Sequence, residues 1–192
     1  MPCKPACSTC QRLRDSTLDI LGAGATEALS LAALGARVGL TLEEVEDHYP
    51  TAAGCLYDTY DQVSADVLLG MADAFAQGAT WEQGFHLARR RLLERMAANP
   101  GEARLCFVEV LRGDDELRRR RGLTRQWILQ FLVKEHERRR EHEALGELQV
   151  EMLIGAGFAA ISNAVAHGDV AQLPTVEPTL VHLARVFDRT AS

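Results

Sequence analysis

The sequence predicts an all-α protein: an N-terminal three-helix unit containing a helix-turn-helix, followed by a larger C-terminal helical domain. Three observations lead there. Apolar residues recur three and four positions apart, and no stretch alternates with period two for long enough to make a strand. Capping residues and breakers punctuate the pattern, with Ser30, Thr41 and Thr51 ahead of periodic segments and Gly39, Pro50 and Asn99-Pro100-Gly101 behind them. The chain has 192 residues, 47% apolar and 25% charged, the usual mix of a globular protein and not of a disordered or collagen-like one. A chain of this length buries about 70% of its unfolded surface, so its core needs neither disulfides nor a structural metal.

The first helix is expected over 11–24, with Leu13, Thr17, Ile20 and Leu21 on one face and Gly22, Gly24 and Ala25 ending it. Ser30 caps a short second helix that turns Leu31, Leu34 and Val38 inward and stops at Gly39. Thr41-Leu42-Glu43-Glu44 forms a capping box, in which Thr41 and Glu44 each satisfy an orphan N–H of the third helix. Leu42, Val45 and Tyr49 of that helix are expected to face the core. Pro50 ends it, and Thr51 caps the next. Longer helices follow over 51–77, 81–98, 102–112, 117–142 (with a possible break near Gly122), 146–167 and 177–188, while 168–174 reads as a loop.

A short helix, a glycine-containing turn and a second capped helix make a helix-turn-helix pattern. The run Ser30-Leu-Ala-Ala-Leu34-Gly-Ala-Arg37-Val-Gly39-Leu40-Thr41, followed by Val45-Glu-Asp-His48-Tyr49-Pro50-Thr51, resembles the tetracycline-repressor (TetR) family. That family carries an apolar-Ala pair, an Ala-Gly-Val-Ser turn, then Leu-Tyr-x-His-Phe and a capping Ser. Asn99-Pro-Gly-Glu-Ala-Arg104-Leu and the closing Leu173-Pro … Leu180-Val-His-Leu resemble its C-terminal domain more loosely. The resemblance implies a homodimer of two-domain protomers; a cytoplasmic address is expected by default, with no secretory signal visible. Residues 1–11 would be a flexible cysteine-containing tail, 12–57 the DNA-binding domain, and 58–192 the ligand-binding and dimerisation domain. It implies a ligand-responsive transcriptional regulator, acting as a repressor on a pseudo-palindromic operator.

By the same resemblance, Ser30, Arg37, Thr41, Leu42, Glu43, Glu46, Asp47, His48, Tyr49 and Thr51 fall at DNA-binding positions. The charge there departs from the family. The reading helix carries Glu43, Glu44, Glu46 and Asp47 and no Lys or Arg; Glu46 stands where the family has Tyr, and Ala52 where a Lys usually follows the cap. Residues 1–60 hold four basic and eight acidic side chains, net −4, in a chain of net charge −6. Phosphate attraction supplies most non-specific DNA affinity, and each carboxylate near a phosphate costs about 1 kcal/mol at 4 Å in water. His48, at a helix C-terminus where the dipole favours a proton, is the best remaining phosphate donor. The alternative is therefore a TetR-shaped ligand-binding or heteromer-forming protein whose acidic helix impairs DNA binding.

Large soft side chains at inward positions, Met71, Phe85, Phe107, Trp127, Phe131 and Met152, are candidates for an apolar pocket taking a hydrophobic small-molecule effector. Gly155, Gly157 and Ala160 let another helix approach closely; with Leu180, Leu183 and Phe187 of the last helix they form the expected dimer interface. The run Arg118 to Arg121 follows three acids and reads as a solvated helix junction. His136 and His142 are expected on the surface, and Cys55 and Cys106 as small core residues.

Enzymatic chemistry finds no carrier. There is no Gly-x-Ser-x-Gly elbow, no P-loop and no Glu-x-x-His pair. No cofactor is expected. Cys3, Cys7 and Cys10 are spaced to hold a metal given a fourth ligand, but no His follows at zinc-finger spacing, so no metal is expected and the tail reads as frayed. No membrane segment is expected either, since the longest uninterrupted apolar run, 152–161, is half of what spanning needs. No secretory signal is visible at the N-terminus.

Overall fold

The computed structural model describes residues 7–139 and 147–176. All regular structure among them is helical: α1 (Ser8–Gly22), α2 (Leu31–Val38), α3 (Leu42–Glu46), α4 (Ala52–Ala76), α5 (Trp81–Ala98), α6 (Pro100–Arg104), α7 (Val110–Arg112), α8 (Asp115–Arg139) and α9 (Glu147–Ala166). Short 3-10 turns cover Thr26–Ala28 and Val170–Val176. A π turn, Leu105–Glu109, joins α6 to α7, so 100–112 is one continuous rod with a local change of pitch.

The caps read from the sequence set the boundaries. Ser30 Oγ accepts from Ala33 N, Thr41 Oγ1 from Glu44 N and Thr51 Oγ1 from Gly54 N. The Glu44 carboxylate returns to the Thr41 N–H at 2.7 Å, completing the box. That backbone bond and the Thr41 hydroxyl hold its carboxyl below the usual carboxylate range. Gly39 closes α2 at φ +73°, where a side chain would be strained.

Four apolar clusters hold these elements together. One ties α1, α2, α3 and the start of α4 through Leu13, Leu34, Val45 and Cys55. A second joins the end of α1 to α4, the π turn and α8 through Leu21, Tyr60, Leu105 and Leu117. The others fill the space among α4, α5, the π turn, α8 and α9. The expected division at 57/58 falls inside α4, which runs unbroken through it. The N-terminal unit is thus carried on a helix whose far end lies in the C-terminal core.

Several expectations are corrected. α1 begins at Ser8 and buries Cys10 completely, so the tail reading fails from residue 8 onward. Leu42 is 49% exposed because it sits at the first position of α3, while Val45 and Tyr49 are buried. α8 passes Gly122 without a break. His136 is buried edge-on against Trp81 at 5.7 Å between ring centroids. The segment read as a loop ends in the 3-10 turn Val170–Val176, with Leu173 fully buried. Helix 177–188, His142 and the dimer residues Leu180, Leu183 and Phe187 lie outside the described residues.

One helix among the described residues, 148–166, is long and apolar enough to span a bilayer by length and composition. Counting uninterrupted runs misses it because Glu151, Ser162 and Asn163 are diluted among apolar neighbours. Val150, Leu153, Ile161 and Val165 on one side of α9 are buried in the core. Leu148, Met152, Gly155 and Ala159, spaced four, three and four apart, are exposed on the other.

Candidate functional site

The bihelical unit presents α3 to solvent. Glu43, Glu46 and Asp47 are exposed beside Leu42, while Val45 and Tyr49 anchor the opposite side. Tyr49 Oη donates to Asp58 on α4, and Arg14 Nη1 on α1 donates to the same carboxylate at 2.8 Å. Burial, reinforced by the Asp58 hydrogen bond and charge, pushes the Tyr49 phenol far above its usual value. Burial alone would lower the Arg14 pKa, but the contact with Asp58 outweighs it and the pKa rises.

The structure gives the remaining DNA-binding candidates different roles. Ser30, Thr41 and Thr51 cap helices, and Tyr49 is core. Arg37 is exposed and lies 3.8 Å from Asp19. His48 is half-buried and turns Nδ1 toward the thiols of Cys7 and Cys10, at 3.8 and 3.5 Å, rather than outward. Arg12 donates to the Val38 carbonyl and Arg14 is spent on Asp58. Every basic side chain described in residues 7–60 therefore has a protein partner, and the outward face of α3 is acidic.

A cavity of about 350 Å³ lies among α4, α5, the π turn, α8 and α9. Five of the six sequence candidates line it: Met71, Phe85, Phe107, Trp127 and Phe131. Trp127 stacks on Phe131 at 5.2 Å, and its 41% exposure puts it at the edge of the cavity. Met152 does not line it. One turn of α9 carries Leu153 and Ile154 to the cavity and Met152 to the outer stripe. Gly155 and Gly157, expected at the dimer interface, border the cavity, yet a Cβ on either would meet nothing within 4 Å. Ala160 is half-buried.

Sequence reasoning missed the polar lining, which consists mainly of Arg89, Arg121 and Arg125. Arg121 lies over the Phe158 ring at 4.2 Å and Arg89 over Phe85 at 5.3 Å. Arg125 pairs with Glu151 at 3.1 Å. The Arg118–Arg121 run is divided by helical rotation. Arg118 and Arg119 pair with Asp115 and Glu116 on the surface, Arg120 reaches Asp61, and Arg121 turns inward. A count of neighbouring charges gives no sign of that split. Cys106 also borders the cavity; burial holds its thiol up to about 12. A cavity with apolar walls and guanidinium groups suits a molecule with an aliphatic body and an anionic head.

The cavity is mechanically joined to the bihelical unit. Gly101, in the rod that supplies Cys106 and Phe107, crosses α1 so closely that a Cβ would stand 2.2 Å from the Leu18 carbonyl oxygen. A Cβ on Gly22 would lie 3.1 Å from the Gly101 nitrogen. Glu109 of the π turn accepts from Thr26 Oγ1 and from Arg104 Nε, both at 2.9 Å.

No family model and no curated protein matches the sequence. Solved structures do. The fatty acid degradation regulator FadR from Bacillus halodurans superposes with a TM-score of 0.81 at 11% identity, over 94% of this chain and 96% of its own. FadR from Bacillus subtilis, in complex with stearoyl-CoA, gives 0.78 at 12% identity, over 91% and 96%. A regulatory protein of the TetR family from Rhodococcus RHA1 gives 0.70 at 14% identity, over 93% and 98%. The chain has the fold of TetR-family transcriptional regulators across nearly its whole length.

Proposed function

We propose that this protein is a TetR-type, ligand-responsive DNA-binding regulator, acting as a dimeric repressor, whose effector is a long aliphatic molecule with an anionic head, such as a long-chain acyl-CoA. The observation that carries the reading is the arginine-bordered apolar cavity on the same rod that grips α1. The stearoyl-CoA complex of the Bacillus subtilis regulator supports the ligand class. The exposed stripe of Leu148, Met152, Gly155 and Ala159 on α9 supports a dimer, since an apolar face of that length calls for a partner. Residues 12–57 act as the DNA-binding domain and 58–192 as the ligand-binding and dimerisation domain.

The test has two arms. Long-chain acyl-CoA, free CoA and a short-chain acyl-CoA are titrated while thermal unfolding is followed; only the long-chain form should raise Tm in proportion to the logarithm of its concentration. Selection of bound genomic fragments should return a pseudo-palindrome, released by the same ligand. Equal response to free CoA would overturn the ligand class, and a background-only selection would overturn DNA reading by this chain.

The acidic outer face of α3 favours a second reading, a TetR-shaped ligand-binding protein that reads DNA only beside a more basic partner. It keeps the ligand response and loses the operator. A gain of operator binding on adding such a partner would decide for it.

A further inference from the structure

Cys7 and Cys10 belong to the first turn of α1, Cys7 as its N-cap and Cys10 three residues on. His48 follows α3, 38 residues beyond Cys10. The two thiol sulfurs and a His48 ring nitrogen all lie within 4.8 Å of one another. The His48 Nδ1 distances are 3.8 Å to Cys7 Sγ and 3.5 Å to Cys10 Sγ. A tetrahedral ion with Zn–S of about 2.3 Å and Zn–N of about 2.05 Å sets its sulfur and nitrogen ligands about 3.6 Å apart. The observed edges bracket that value.

The local chemistry suits the same ion. The Cys10 N–H points to Cys7 Sγ at 3.4 Å, which orients that sulfur at the first turn of α1. The set contains two sulfurs, one imidazole and no carboxylate, which selects zinc over magnesium or calcium. Cys10 is fully buried while Cys7 and His48 are half-buried, so an ion would enter from the open side. The fourth corner of the tetrahedron falls to water.

We propose that Cys7, Cys10 and His48 bind Zn²⁺ and so clamp the start of α1 to the end of the reading helix. The site does not depend on the effector or on DNA. The full chain is purified in a non-thiol reductant, stripped with chelator, and titrated with Zn²⁺ against a chromophoric competitor. One equivalent per chain should bind. Co²⁺ in its place should give thiolate-to-metal absorption in the near ultraviolet and the intense visible bands of a tetrahedral ion.

Cys7→Ser and His48→Gln change half-buried positions and should keep the helical circular dichroism. Each should weaken Zn²⁺ by more than about 100-fold, beyond the 10–100-fold loss seen when a group merely supporting a ligand is removed. Failure to bind one equivalent, an octahedral cobalt spectrum without thiolate absorption, or wild-type affinity in His48→Gln would each overturn the site. So would a Cys7–Cys10 disulfide that forms in air as fast with zinc as without it.

Discussion

At the scale of single residues, the Asp58 carboxylate is the joint between α1 and the segment that follows α3. It receives Arg14 at 2.8 Å and the Tyr49 hydroxyl. Removing it leaves a guanidinium that is only 9% exposed without its counter-charge. A fully buried pair broken this way costs about 3–5 kcal/mol. Asp58 is 44% exposed, so solvent screening reduces the expected cost of Asp58→Ala to about 2 kcal/mol. Thermal unfolding should show a Tm lower by about 4–8 °C, with Tyr49→Phe losing about half as much. Cys106 gives a pH prediction. Its folded thiol is held up to about 12, against 9.0 for the unfolded group, so the unfolded chain releases this proton first. Its stabilising contribution is complete below pH 9 and is lost as the pH rises toward 12. Denaturant unfolding at pH 7–10.5 should show a shallower alkaline decline in Cys106→Ser than in the wild type. Of these roles the sequence disclosed the apolar burial of Tyr49 and Cys106. Arg14, the partner of Asp58 on α1, and the thiols beside His48 lie 38 to 44 positions away, beyond any local periodicity.

Elements were more legible than their contacts. Hydroxyl caps, the αL glycine and Pro100 act within one helical turn, and the observed boundaries of α2 to α5 follow from them. The π turn carries no such local signature, and neither does the inward rotation of Arg121. The two kinds of glycine in the structure separate by experiment. Gly101→Ala would drive a Cβ into the Leu18 carbonyl and force α1 and α6 apart, at an expected cost of about 1–3 kcal/mol in chemical denaturation. Gly155→Ala has open space around it. It should leave the stability of the protomer unchanged or raise it by up to about 1 kcal/mol through helix propensity. A loss as large as that of Gly101→Ala would contradict the exposed position of Gly155.

For the whole molecule, the charge distribution sets the DNA prediction. The described outer face of α3 offers three carboxylates and no cation, and a dimer would present them twice. Glu43→Gln, Glu46→Gln and Asp47→Asn combined should raise affinity for non-specific duplex at least tenfold at low ionic strength. The gain should shrink as salt is added; no gain would mean that α3 does not face the duplex. The fold class was plain from helical spacing because it is a property of the whole pattern. The acidic face was plain too, because charge is read directly from residue types.

The crossing at Gly101 leaves no soft atoms between the two helices, so the rod and α1 behave as a lever on a fixed fulcrum. From Gly22 to Ser8 the arm is 14 residues, about 21 Å. A tilt of about 5° at the fulcrum swings its tip by about 2 Å, so a modest rotation beside the cavity is geometrically magnified at the opposite tip of the arm.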